Sequence, residues 1–349
     1  MTPDLREVGE KPLLASLQRY LGKSKKIIRT YSEDCAVVAS GGQKYQLFTI
    51  DVLVEGVHFQ REYTPAYYIG RKGLKVSISD ICAMSGVPLY FLLSLGAPPD
   101  TPVRIIEGIY EGFNSVAHET KIQFLGGNLS SSPVLFLDVV VIGEAKKKSA
   151  LFRSTARKGD LIFVTGALGA AAEGLKLLQD GFRLVGDEQQ GLIMPVEHRD
   201  SHFVRDAILS HMDPPLLTHL AQTLARTNLL HSLIDLSDGV ASDLREVCRE
   251  SKVGAVIELP RLPIAAAALY WERKRNLDPC TLALHGGEDY HLLLTISPRS
   301  KRRLLKLMEE EGFELFEIGR IVDRSEGIFL VDEDGRRTRL GNGYQHFRT

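Results

Sequence analysis

The sequence predicts a mixed α/β (α+β) protein of two domains, and three observations carry that prediction. The chain has 349 residues, long for a single core. Apolar runs of strand length alternate with segments of helical period in both halves, the pattern of layered strands and helices. Between the halves, residues 145–159 are basic, polar and without a clear period. The boundary is drawn there, giving an N-terminal domain over 1–148 and a C-terminal domain over 149–349.

In the first half, residues 46–54 are β-rich and carry Asp51 near their end. Thr64-Pro65 predicts a helix start, a capping hydroxyl followed by proline at the first helical position, and Gly86 and Pro88 stop that helix after Met84. Residues 90–95 read as a buried strand. Thr101-Pro102 repeats the start signal, and Val103, Ile106, Tyr110, Phe113 and Ala117 follow at helical spacing. Residues 122–125 and 134–143 are further strands. In the second half, strands are expected at 161–165, 233–236, 255–259, 291–296, 316–322 and 328–331. Helices are expected at 167–179, 216–226, 242–251 and 299–310.

Composition removes several function classes. With 43 basic against 44 acidic residues the formal charge is −1, so no net basic field exists to hold nucleic acid. Cys35, Cys82, Cys248 and Cys280 are far apart in sequence, which disfavours a zinc site or a disulfide framework and suits a reducing compartment. No apolar run approaches the ~18 residues of a membrane span, and residues 1–11 lack a signal-peptide core. A cytoplasmic protein is expected. There is no P-loop, no His-Glu-x-x-His and no Gly-x-Ser-x-Gly.

What remains is a set of six acidic and glycine-rich clusters, most standing where an apolar run stops. They are Ser32-Glu33-Asp34, Thr49-Ile50-Asp51, Ser79-Asp80, Gly126-Gly127-Asn128, Asp235-Leu236-Ser237-Asp238-Gly239 and Gly286-Gly287-Glu288-Asp289-Tyr290. Short carboxylates and glycines at strand ends hold magnesium and bring backbone amides up to phosphate. Each cluster also has a plainer reading. Asp235 and Asp238 can converge on one cation, or Ser237 or Asp238 can cap the next helix. A lone Asp51 at the end of a strand reads first as a turn former, and Gly126-Gly127-Asn128, placed after a strand, as a turn. Together, with no competing histidine or cysteine cluster, they point to metal–nucleotide chemistry.

In this order the clusters resemble the thiamine-monophosphate kinase family of the aminoimidazole-ribonucleotide-synthetase-like ATP-binding superfamily, from about residue 30 onward. The most specific stretches are Asp51-Val52-Leu53-Val54-Glu55-Gly56-Val57-His58-Phe59, Ser79-Asp80-Ile81-Cys82-Ala83-Met84 and the closing Gly343-Tyr344-Gln345-His346-Phe347. The resemblance implies two α/β domains, the N-terminal one carrying a mixed sheet that forms a β-barrel with the same sheet of a second copy, hence a homodimer. It implies phosphorylation of thiamine monophosphate to thiamine diphosphate by ATP, assisted by several Mg2+ ions. By the same resemblance Asp34, Asp51, Asp80, Asn128, Asp235 and Asp238 are metal ligands. Thr49, Tyr110, Gly127, Arg153 and Ser237 contact ATP, and His58, Glu288 and Tyr344 contact thiamine monophosphate. No residue is expected as a general base, because the acceptor phosphate is already ionised.

The chain departs from the family pattern at several points. Ser32-Glu33 stands for Gly-Asp, Ile50 for threonine, Ser77 for asparagine and His291 for glutamate. At Asn128 the family has a metal-binding aspartate, so one negative charge is missing beside the expected triphosphate–metal cluster. Two alternatives follow: a related ATP-dependent enzyme with another small phosphate acceptor, or a nucleotide-binding homologue whose turnover is reduced or lost.

Overall fold

The computed structural model describes residues 4–187, 191–193 and 201–341. After two short helices, α1 (Leu5–Val8) and α2 (Glu10–Leu17), the first half builds a six-stranded sheet. Its strands are β1 (Ile27–Arg29), β2 (Ala36–Ala39), β3 (Lys44–Val54), β4 (Val87–Ala97), β5 (Gln123–Ser131) and β6 (Phe136–Lys146). They lie in the order β1-β2-β3-β6-β4-β5, with β4 and β5 parallel and the other neighbours antiparallel. Helices α3 (Ala66–Ala83) and α4 (Val103–Thr120) make the crossovers from β3 to β4 and from β4 to β5.

The two-residue period of β3 decides what the sheet presents to each side. Leu47, Thr49, Asp51 and Leu53 point one way, toward α3, and three of them are buried. Phe48, Ile50 and Val52 point the other way, where Ile50 is 62% and Val52 48% exposed. Asp51 is thus not a turn former. It sits within the β3–β6 ladder opposite Val139 and is aimed at the helix layer.

The second half holds a seven-stranded sheet of β7 (Leu161–Val164), β10 (Leu230–Asp235), β11 (Gly254–Glu258), β12 (Leu292–Ile296), β13 (Phe316–Val322), β14 (Ile328–Val331) and β15 (Arg337–Arg339). The order is β10-β12-β7-β13-β11-β14-β15, and β8 (Val185–Asp187) pairs with β9 (Gly191–Ile193) separately. Around these lie α5 (Ala170–Gln179), α6 (Ser201–Met212), α7 (Thr218–Thr227), α8 (Val240–Ser251), α9 (Ala266–Lys274), α10 (Cys280–His285) and α11 (Lys301–Glu310). One buried apolar cluster runs from Ile78 and Ile81 of α3 and Leu93 of β4 into Leu233, Leu292 and Leu294 of the second sheet. That continuity is why α3 is buried on nearly every side, its basic residues Arg71, Lys72 and Lys75 included. Among the described residues no helix is long and apolar enough to cross a membrane.

Two expectations are corrected here. Gly126-Gly127-Asn128 does not follow a strand; it lies inside β5, paired with Leu93 and Ser94. A Cβ on Gly127 would stand 1.7 Å from the Leu93 carbonyl oxygen, so glycine is what lets β5 close on β4. The threonines do not cap their helices either. Pro65 and Pro102 occupy the cap positions, no side chain caps there, and the Thr64 and Thr101 hydroxyls are buried without a hydrogen-bond partner.

Candidate active site

The two domains meet at a group of carboxylates. Asp34 lies in the turn before β2, Asp80 on α3 and Asp235 at the last residue of β10, and one oxygen from each falls within 4.8 Å of the others. Each is held by a neighbour. The Thr49 hydroxyl donates to Asp80, and the Ser79 hydroxyl donates to Asp235 at 2.7 Å. Arg153 grips both oxygens of Asp34, its Nε at 3.0 Å. The Arg153 backbone is fixed in turn, its N–H donating to Glu33 at 2.6 Å and its carbonyl accepting from Ser251 at 2.6 Å.

So many like charges in a buried place oppose one another. Burial pushes the Asp80 carboxyl well above its ordinary range, and Asp51, Asp235 and Asp34 add to the push. Asp235 is raised by burial and by Asp34. Burial lifts Asp51 to about 6, Asp138 adding a little against the favourable Ser77 hydroxyl. Asp51 Oδ2 is buried with no hydrogen-bond partner. Arg153 supplies one compensating charge. An orphaned carboxylate oxygen beside converging aspartates is what hard divalent cations such as Mg2+ take as ligands, so this donor set fits such an ion.

A cavity of about 420 Å³ opens beside these acids, and Asp51, His58, Ser237, Asp238, Glu288 and Tyr290 are among the residues that line it. His58 is oriented by the N–H of Val54, which donates to its Nδ1 at 3.0 Å. Two sequence clusters are stitched together here: Glu288 N–H donates to the Ser237 carbonyl at 2.7 Å and Tyr290 N–H to the Leu236 carbonyl at 2.9 Å. Between them Asp289 turns inward and accepts N–H bonds from Gly169 at 2.7 Å and Ala171 at 3.3 Å, at the start of α5. The capping alternative for Ser237 and Asp238 does not hold. Gly239, at φ 92°, is the cap residue of α8 and no side chain bonds there.

Other residues expected at the site are elsewhere in the chain. Gly127 and Asn128 are on β5, with β4 and β6 between them and β3. Three strand spacings put Asn128 ~14 Å from the β3 backbone. Tyr110 is on α4, edge-on to Phe124 with ring centres 6.0 Å apart. Tyr344 and the closing 343–347 motif lie outside the described residues. The sequence reading missed Lys72, His211 and the anchoring role of Asp289. Lys72 had one signal, its place among the three basic residues of a helix with many apolar positions; His211 had none.

Comparison with known proteins gives the same architecture. The AIR synthase related protein N-terminal domain matches residues 32–145, and the corresponding C-terminal domain matches 157–332. The thiamine-monophosphate kinase of Synechococcus elongatus is 31% identical over 99% of this chain and 98% of its own length. That of Aquifex aeolicus is 32% identical over 98% of this chain and 99% of its own. The solved structure of AaThiL complexed with AMPPCP and TMP superposes with a TM-score of 0.81 at 30% identity, covering 99% of each chain. With relatives this similar along its whole length, and both of its domains matched, the chain belongs to the thiamine-monophosphate kinase family.

Proposed function

We propose that this chain transfers the terminal phosphoryl group of ATP to thiamine monophosphate, giving thiamine diphosphate and ADP. The observation that carries this reading is the joining of Asp51, with its orphaned oxygen, to Glu288 through one cavity beside the Asp34, Asp80 and Asp235 group. An oxygen of the acceptor phosphate attacks the terminal phosphorus in line, and the bond to the bridging oxygen breaks, releasing ADP. The acceptor is already ionised, so no side chain has to remove a proton. The barrier lies in bringing two polyanions together in register.

Asp34, Asp51, Asp80, Asp235 and Asp238 are the residues that would hold magnesium. When bound, that metal neutralises the phosphates and polarises the group in transfer. The protein's own part is to keep the acids in fixed positions through Thr49, Ser79 and Arg153, with Ser237 and Arg153 facing ATP. His58 and Glu288 face thiamine monophosphate.

A homodimer belongs to the same reading. On the side of the first sheet away from α3, Ile50 and Val52 of β3 and Tyr90 and Leu92 of β4 are exposed, and half-buried Val140 and Ile142 of β6 lie between them. An exposed apolar sheet face of this kind marks an interaction surface, and a second copy of the same face is its natural cover. Pairing there would set Gly127 and Asn128 beside the neighbouring chain, and we assign them to the neighbour's site.

The test is product formation from thiamine monophosphate, ATP and magnesium by the purified protein, followed as ADP and thiamine diphosphate together. Both products in equal amounts are expected. Nucleotide binding without product would reduce the chain to a non-catalytic homologue, and turnover with a different phosphate acceptor only would reassign its substrate.

A further inference from the structure

Glu288 is held more tightly than a residue facing a solvent-filled cavity needs to be. Its backbone adopts φ 59°, a left-handed conformation that non-glycine residues rarely take, and Tyr290 follows at φ 49°. The bond from Glu288 N–H to Ser237 and the burial of Asp289 under α5 maintain that conformation. The side chain is then met by two groups from different elements. Lys72 Nζ, from α3, stands 2.6 Å from one carboxylate oxygen, and His211 Nδ1, from the last turn of α6, 3.0 Å from the other. Both partners are almost completely buried, at 3% and 4% side-chain exposure, whereas Glu288 keeps 28%. All three line the cavity.

The placement of His211 has its own cause. Two residues beyond it, Asp213 accepts from Arg71 Nε at 2.8 Å and pairs with Lys75 at 2.7 Å, and Lys75 also donates to the Pro214 carbonyl at 2.9 Å. These buried ties pin the end of α6 to the same face of α3 that carries Lys72. The protonation pattern agrees with the geometry. Burial and the nearby Lys72 ammonium push His211 down, toward the neutral imidazole, and with a carboxylate oxygen 3.0 Å from its Nδ1 the tautomer assigned is the one protonated there. Burial alone would raise Glu288, but Lys72 and His211 outweigh it and hold the carboxyl well below the usual range.

We infer that Lys72 and His211 are positioning residues for acceptor specificity, holding the Glu288 carboxylate in one ionised orientation toward the heterocyclic part of thiamine monophosphate. The inference rests on the thiamine-phosphate reading of the cavity. A carboxylate has about four acceptor sites. Lys72 and His211 occupy one on each oxygen, which leaves the remainder for the amino and cationic groups of the ligand. Because the carboxylate is oriented before the ligand arrives, that ordering cost falls on folding and not on binding. Neither residue touches the phosphate-facing acids, so their loss acts on acceptor binding and not on transfer.

The test is steady-state kinetics of Lys72→Met, His211→Phe and His211→Asn with thiamine monophosphate and ATP varied separately. A hydrogen bond to a charged group predicts that Lys72→Met and His211→Phe raise the KM for thiamine monophosphate about 10- to 100-fold. The kcat and the KM for ATP stay near wild type. Asn can place its amide N–H where His211 Nδ1–H stands, so His211→Asn retains most of the affinity. A fall in kcat with the acceptor KM unchanged, or equal losses in His211→Phe and His211→Asn, overturns the inference. If Lys72→Met does not fold, the two His211 variants decide it alone. Wild-type protein that makes no product from thiamine monophosphate fails the functional reading itself, a different outcome from active wild type with variants of unchanged KM.

Discussion

Under the proposed function, Asp51 and Asn128 bear on the charge at the metal in opposite ways, one as a carboxylate and the other as a neutral amide. Asp51 has a buried carboxylate oxygen without a hydrogen-bond partner, a costly atom unless a cation meets it. Removing its charge while keeping its shape, as in Asp51→Asn, is expected to abolish most phosphoryl transfer and leave folding intact. Melting curves and single-turnover assays on the same preparation check both halves of that statement. Near-normal turnover would strike Asp51 from the metal-holding set. Asn128 offers a carbonyl oxygen where the family pattern has a charge. Asn128→Asp should therefore lower the magnesium concentration needed for half-maximal activity, read from a magnesium titration at fixed ATP. A requirement that does not move shows that position 128 is not near the metal in this protein.

At the scale of elements, the entry to β12 shows how a local departure is accommodated. The His291 ring lies so close to the backbone at Gly166 that a Cβ there would stand 2.1 Å from it. The glycine turn before α5 is thus a space for this ring. Its Nδ1 is buried without a partner, and burial alone pulls the imidazole down from 6.5 to about 4. The unfolded chain takes up this proton first. Stability is therefore complete above pH 6.5 and is lost as pH falls toward 4, by about 3 kcal/mol at most for this group. Urea midpoints of wild type and His291→Met across that range should differ in slope, the variant being flatter; parallel slopes would remove His291 from the acid sensitivity. The same elements show what a sequence can and cannot reveal. Residues 316–322 and 328–331 are strands over the expected spans, β14 pairing with β11 at every residue and β13 held between β7 and β11 with one irregularity at Glu317/Gly319. The glycines of β5 read as a turn because nothing local records that the Leu93 carbonyl sits where a Cβ would go. The aspartates were legible by chemical type and by the small polar residues beside them, not by place, since of Asp34, Asp51, Asp80 and Asp235 only Asp235 ends a strand. Lys72 and His211 were not, since only the docking of α6 on α3 through Asp213 gives them a shared partner.

At the scale of the whole molecule, strand order keeps two of the expected site residues apart within one chain. Asp51 on β3 and Asn128 on β5 are separated by β6 and β4, ~14 Å at ordinary strand spacing, and no local motif encodes that separation. The apolar face bearing Ile50, Val52, Tyr90 and Leu92 lies across the same strands. If two copies cover that face, Leu92→Asp should yield a monomer in sedimentation and lose activity with it. A sharper experiment asks whether position 128 serves its own chain or its neighbour. Asp51→Asn removes a carboxylate, and Asn128→Lys brings a cation to the same metal cluster, so each variant alone should be inactive. When the two are unfolded, mixed in equal amounts and refolded, half the dimers carry one chain of each kind. If Asn128 reaches the neighbour, every such dimer has one site with both lesions and one with neither, and activity returns to about a quarter of wild type. If Asn128 acts within its own chain, every site carries a lesion and the mixture stays inactive.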